Sequence, residues 1–65
     1  MDNKVKEYRI QKGLSQEELA KEANLSRYLI SKIEKGDDVN LTKNTMISIA
    51  AALDKKVADI FLFNL

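Results

Sequence analysis

The sequence predicts an all-α fold, a compact bundle of five short helices, and three observations carry that reading. Apolar residues recur at helical spacing, and no run alternates apolar with polar residues for long enough to argue for a strand. Serine or threonine stands at the start of the second, third and fourth helical stretches, where a hydroxyl accepts from a backbone N–H. Glycine closes the first and third stretches, and no proline interrupts any of them.

The first helix is expected from about Asp2 to Lys12, with Val5 and Tyr8 on one face and Gly13 as a left-handed C-terminal cap. The second starts at Ser15, whose spacing to Glu18 makes a capping box in which hydroxyl and carboxylate each satisfy one orphan N–H. Leu19, Ala20 and Ala23 form its inner stripe, and it ends near Asn24. The third begins at Ser26 and stops at Gly36. Between the two lies only Asn24-Leu25-Ser26, a connection that suits the crossing angle of a helix-turn-helix, residues 15 to 36, better than a stacked antiparallel pair. Asp37 to Leu41 reads as a loop. Thr42 caps a fourth helix with Met46, Ile49, Ala50 and Leu53 at i, i+3, i+4 and i+7. A short fifth helix carries Val57, Ile60 and Phe61, followed by the apolar tail Leu62-Phe63-Asn64-Leu65.

A chain of 65 residues holds one domain, here residues 1–65, whose small core has to be efficient. The absence of Cys and His removes disulfide frameworks, zinc sites and the usual catalytic bases and nucleophiles. The carboxylates are scattered along helix faces, so no enzyme, metal or cofactor is expected. No apolar run approaches the ~18 residues of a membrane span, and the N-terminus lacks the apolar core of a signal peptide, which leads to an expected cytoplasmic location without a membrane. Net charge is only +1. Its distribution says more: residues 1 to 36 hold eight basic and six acidic side chains, and residues 37 to 65 hold three and four. Any electropositive face therefore belongs to the N-terminal half.

In the third helix Leu29, Ile30 and Ile33 cluster on one side, leaving Arg27, Tyr28, Ser31, Lys32 and Lys35 on the other. That outer face is basic and rich in donors. A major groove accepts one such helix and offers base-edge acceptors to Arg and Lys; an ordinary solvated face has the same composition. Gln16, in the first turn of the second helix, is positioned either to grip a phosphate with the N–H groups of that terminus or to stand as a plain surface side chain.

With these residues in view, the run Arg9-x-x-Lys12-Gly13-Leu14-Ser15-Gln16-Glu17-Glu18-Leu19-Ala20, then Ala23-Asn24-Leu25-Ser26-Arg27 and Ile30-Ser31-x-Ile33-Glu34-Lys35-Gly36, resembles the phage repressor and Cro (Xre-type) helix-turn-helix family. The likeness continues through Thr42-x-x-Thr45-Met46, Ile49-Ala50-x-Ala52-Leu53 and Asp59-Ile60-Phe61. It implies a lambda-repressor-like five-helix bundle that binds double-stranded DNA in a sequence-specific way, usually as a homodimer. Transferred by position, it makes Arg27, Tyr28, Ser31 and Lys32 base readers and Gln16, Lys35, Asn40, Thr42, Lys43 and Asn44 phosphate contacts. Gln16 in this family also braces the reading helix. Arg9 and Glu34 are implied to be a structural ion pair joining the first helix to the third.

The chain departs from the family at Asp37-Asp38-Val39-Asn40-Leu41-Thr42, a loop about one residue longer than the commonest form and without its frequent Pro-Ser. Two carboxylates near a phosphate path either face away from DNA or discourage non-specific binding. Lys43 and Lys55 stand where the family is often apolar; the first gains a phosphate contact by the exchange, while the second is expected to loosen packing near the fifth helix. For dimerisation, Ile60, Leu62, Phe63 and Leu65, with Ile47, offer apolar surface that either meets a second copy or folds back over the core. The expected function is a transcriptional regulator, a repressor acting as a homodimer on a palindromic operator with no small-molecule effector. The alternative, from another class, is an antitoxin or anti-regulator module that uses the same fold to hold a protein partner.

Overall fold

A computed structural model describes residues 2–37 and 41–61. Asn40 and the tail residues Leu62, Phe63 and Leu65 lie outside the described residues. Five helices form among the described residues: α1 (Val5–Gln11), α2 (Gln16–Ala23), α3 (Arg27–Glu34), α4 (Lys43–Ala52) and α5 (Val57–Ile60). None of them is long and apolar enough to cross a membrane.

Hydroxyl caps set three of the starts. Ser15 Oγ accepts from the Glu18 N–H at 3.0 Å while Glu18 Oε1 accepts from the Ser15 N–H at 2.8 Å, closing the capping box of α2. Ser26 Oγ accepts from the Leu29 N–H at 3.1 Å, and Thr42 Oγ1 from the Thr45 N–H at 3.1 Å. The single turn of α5 starts differently, with the Asp59 carboxylate accepting from the Lys56 N–H at 3.0 Å. Left-handed residues end the helices: Gly13 after α1 at φ 76°, and Asn24 after α2 at φ 57°. At Asn24 the chain turns so that the Leu25 N–H reaches back to the Ala20 carbonyl at 2.8 Å, and half-buried Leu25 packs against the core. This is the bend of the helix-turn-helix.

Helix α1 begins at Val5 rather than at Asp2. The Asn3 side chain is the reason: its Oδ1 accepts from the Val5 N–H at 3.1 Å and its Nδ2 donates to the Ile33 carbonyl at 2.8 Å, at the far end of α3. The Lys4 N–H donates to the Ile60 carbonyl at 2.8 Å. A short amide side chain thus competes with the helical pattern, and bonds to α3 and α5 reward the non-helical path.

Helix α2 packs on both α3 and α4, α4 on α5, and α1 on α3. The core they enclose contains Val5, Leu19, Ile30, Ile33, Ile49, Leu53, Ile60 and Phe61, with Ala20, Ala23 and Ala50 at the helix contacts. Small side chains at a contact let helix axes approach closely, which is how so short a chain closes a core. Ile60 corrects an expectation: it is fully buried and adds no apolar surface for a second copy. The period that puts Val57, Ile60 and Phe61 on one face turns that face inward, and Phe61 at its end is also fully buried. Lys55 corrects another. Its backbone N–H donates to the Ala50 carbonyl at 3.0 Å, and its Nζ stands 4.9 Å from the Tyr8 ring centroid, so an ammonium over a ring face links the α4–α5 turn to α1. Beside it, Lys12 Nζ donates to the Ala52 carbonyl at 2.7 Å and to Asp54 Oδ2 at 2.9 Å.

The hydrogen bonds from the Ser15 backbone and hydroxyl hold the Glu18 carboxyl below its ordinary range. A depressed carboxyl contributes stability that is present above the ordinary value and lost as pH falls through the lowered one. Glutamine at this position keeps the acceptor oxygen but does not titrate. Thermal melts of the wild type and Glu18→Gln should therefore differ most near neutrality and converge between about pH 5 and pH 3; a gap that stays constant would remove the carboxylate from the stability of α2.

Candidate nucleic-acid interface

Helix α3 turns Ile30 and Ile33 into the core and Arg27, Tyr28, Ser31 and Lys32 away from it. Arg27 and Tyr28 are exposed, Tyr28 by 71%, while Ser31 and Lys32 are half-buried by their neighbours. A large aromatic ring left in water on a helix that otherwise sorts its apolar residues inward is a surface available to a partner.

What orients this helix is a charged node at its end. Arg9 Nε donates to Glu34 Oε2 at 2.6 Å and Arg9 Nη2 to Glu34 Oε1 at 3.1 Å, a bidentate pairing. The third guanidinium nitrogen donates to the Leu14 carbonyl at 2.8 Å, and Gln16 Nε2 donates to Glu34 Oε1 at 3.0 Å. One carboxylate at the end of α3 is thereby held from α1 and α2 at once. The side chains of Arg9 and Glu34 are 11% and 3% exposed. The guanidinium is held above its ordinary range, chiefly by the hydrogen bond to Glu34 and against the cost of burial. Gln16 is therefore engaged inward through its amide nitrogen. On its outer side it lines two adjoining shallow depressions, one with Arg27, Tyr28 and Ser31 and one with Arg9, Ser15, Glu17 and Arg27. The starts of α2 and α3 meet there.

A second network lies just past the same, C-terminal end of α3. Gly36 takes φ 73°, and the turn it permits sends the Asp37 N–H back to the Lys32 carbonyl at 3.1 Å. The same turn brings Asp37 Oδ2 to 3.4 Å from Lys32 Nζ, and that ammonium stands 5.5 Å from the centroid of the Tyr28 ring, one helical turn earlier. The Lys32 ammonium is held above its ordinary range, first by the Asp37 hydrogen bond and next by Tyr28. Sequence reasoning missed the pairing of Asp37 with Lys32. Its signal is a glycine followed by an acid, five residues past a lysine, a spacing that the helical period does not bring together but a left-handed turn does.

The remaining residues of interest stand apart from this group. Lys35 is exposed just past α3. Thr42, Lys43 and Asn44 are exposed at the start of α4, where the Thr42 hydroxyl is already engaged, accepting from the Thr45 N–H and donating to Thr45 Oγ1 at 2.9 Å. Lys43 and Asn44 thus leave more side-chain hydrogen-bonding capacity there than Thr42 does.

Comparison with known proteins fits this geometry. A family described as helix-turn-helix matches residues 5–60. An uncharacterized HTH-type transcriptional regulator of Methanocaldococcus jannaschii is 42% identical over 64 residues, covering 97% of this chain and 94% of its own. One of Bacillus subtilis is 39% identical over 61 residues, covering 94% and 91%. Among solved structures, the restriction-modification controller protein C.AhdI of Aeromonas hydrophila superposes with a TM-score of 0.81 at 35% identity, covering 88% of this chain and 85% of its own.

The node makes a stability prediction. Arg9→Met leaves the buried Glu34 carboxylate with Gln16 as its remaining partner within the node, and should cost about 3 kcal/mol in urea unfolding. Adding Glu34→Leu removes the stranded charge, so the double variant should recover part of that loss. Simple additivity of the two single losses would mean that the pair is not coupled.

Proposed function

Because the chain belongs to the helix-turn-helix family of transcriptional regulators, whose pattern it carries over residues 5–60, we propose that it is a repressor that binds a palindromic operator as a homodimer, reading bases with the outer face of α3. The observation that carries this reading is the presentation of Arg27, Tyr28, Ser31 and Lys32 away from the core on one helix whose end is held by the Arg9–Glu34–Gln16 node. A reading helix has to be fixed before its donors can discriminate, because a donor that swings freely satisfies a wrong base as well as a right one.

In this mechanism Arg27 and Lys32 donate to guanine O6 and N7, the flat ring of Tyr28 packs on a thymine methyl, and Ser31 bonds a base or the adjoining backbone. Gln16 and the first N–H groups of α2 hold a phosphate on one side of the groove. Lys43 and Asn44, with Asn40, Thr42 and Lys35, hold phosphates beyond it, which fixes register without reading sequence. A single module contacts too few base pairs to find one site in a genome, and this favours two copies on half-sites about 34 Å apart. With Ile60 occupied in the core, the surface proposed for the second copy is the apolar stretch Leu62, Phe63 and Leu65 together with exposed Ile47. Occupancy of a promoter by such a dimer blocks polymerase access. The likeness to a restriction-modification controller protein supports a controlling role of this kind.

Selection of bound duplexes from a random library tests the proposal, with an inverted repeat as the expected result; protein that fails to bind duplex at any salt concentration would favour the protein-interaction alternative. On the selected site, Arg27→Ala or Lys32→Ala should lower discrimination at particular base pairs by roughly ten- to a hundredfold. Lys43→Ala should weaken all sequences about equally and reduce the salt slope by about one. Equal behaviour of the three variants would refute the division between readers and anchors. For the dimer, a chain ending at Phe61 keeps the core and should sediment at half the mass of the full chain; an unchanged mass would place the interface elsewhere.

A further inference from the structure

Among the described residues proposed as readers, Lys32 is the one that forms an ion pair within the domain. Asp37 lies 3.4 Å from its ammonium on one side, and the Tyr28 ring lies 5.5 Å away on another. The pairing is not an accident of two long side chains meeting in water. The Asp37 backbone is anchored to the Lys32 carbonyl itself through the turn at Gly36, so the carboxylate is carried on a short stem to a fixed place beside the end of α3. The side chains are 35% and 45% exposed, which leaves the ammonium accessible to a ligand without dismantling the turn.

This arrangement treats two kinds of acceptor differently. An ammonium has three donors, and a single carboxylate oxygen occupies one, so the others stay available. A base edge such as guanine O6 and N7 is uncharged and can take those donors while Asp37 remains in place. A phosphate carries a full negative charge and would approach within a few ångströms of the carboxylate, where the repulsion offsets much of its attraction to Lys32. A lysine without such a neighbour is a mobile point charge that binds phosphate anywhere along a duplex.

We propose that Asp37 is a specificity-determining residue: anchored by the Gly36 turn, it holds Lys32 against Tyr28 as a base reader and withholds its charge from phosphate, suppressing non-specific DNA binding. The inference rests on the DNA-reading role proposed for α3. Asp37 touches no base in this account and acts through Lys32, so it is a positioning residue.

The test compares wild type, Asp37→Asn, Lys32→Ala and the double variant by fluorescence anisotropy on the selected operator and on a scrambled duplex, across a salt series. Asparagine keeps the shape and removes the charge. Asp37→Asn should bind the scrambled duplex severalfold more tightly than wild type, with a salt slope steeper by about one and hence a gain about threefold larger at ~50 mM than at ~200 mM salt. Operator affinity should change by less than twofold, so the specificity ratio falls. In the Lys32→Ala background the same substitution should have little effect on that ratio. Equal tightening on both duplexes, or tightening that persists without Lys32, would make Asp37 a diffuse repulsive charge and overturn the proposal; so would an unchanged ratio. A wild type that binds neither duplex would instead overturn the DNA-reading role, and the proposal with it. A proton NMR readout keeps the two failures apart, because the Lys32 side-chain methylene resonances, shifted by the Tyr28 ring, should move toward ordinary values in Asp37→Asn without any DNA.

Discussion

The architecture depends on one buried carboxylate. Glu34 Oε2 is taken by Arg9 Nε, and Oε1 by both Arg9 Nη2 and Gln16 Nε2. Arg9 spends its remaining reach on the Leu14 carbonyl. Through four hydrogen bonds, α1, the turn after it, α2 and α3 are referred to a common point. Apolar packing is not directional and tolerates small rotations of a helix. A bidentate guanidinium–carboxylate pair does not, because a modest tilt of α3 would break two charge-assisted bonds in a place that water reaches poorly. Buried ion pairs are weak sources of net stability, and the consequence here is orientation more than energy.

A second set of bonds ties the residues around α1 into the same body. The Lys4 N–H meets the Ile60 carbonyl and the Asn3 amide meets the Ile33 carbonyl, so residues before α1 bridge α3 and α5. Lys12 reaches across to the end of α4. A domain of 65 residues buries too little apolar surface to rely on its core alone. These long-range polar contacts, each made to a backbone carbonyl near a helix end, join segments that lie far apart along the chain. The result is a tied frame on which, among the described residues, Tyr28 of α3 is the large exposed aromatic side chain.

Two ion pairs near the C-terminal end of α3 are managed by opposite means. The buried pair on Glu34 neutralises charge and fixes position, whereas the exposed pair of Lys32 with Asp37 holds charge loosely and leaves donors available. The same residue types, a cation with a carboxylate, serve as scaffold at Glu34 and as a tunable contact at Asp37, and burial alone separates the roles: 3% of the Glu34 side chain is exposed against 45% for Asp37.

Much of this was legible in the residues. Ser15 with Glu18, Ser26 and Thr42 announce helix starts because a cap is made within four residues of chain, and Gly13 and Asn24 announce ends for the same reason. The outer face of α3 follows from period alone. The contacts that join distant parts of the chain were not legible in the residues themselves. Nothing near Asn3 says that its amide will meet Ile33, thirty residues on, and so the helical pattern from Asp2 reads as one helix when it is not. Ile60 has the same chemistry as the apolar residues that follow it in sequence, and only the closing of α5 on the core shows that it is buried. Lys55 looks like a polar intruder until the Tyr8 ring arrives from α1. Asp37 looks like one of two loop acids until the left-handed turn at Gly36 folds it onto Lys32. Elements and faces are set by bonds within a turn or two of chain, which composition and spacing encode directly; partners are set by where the packed helices bring side chains together, and that depends on every contact in the bundle at once.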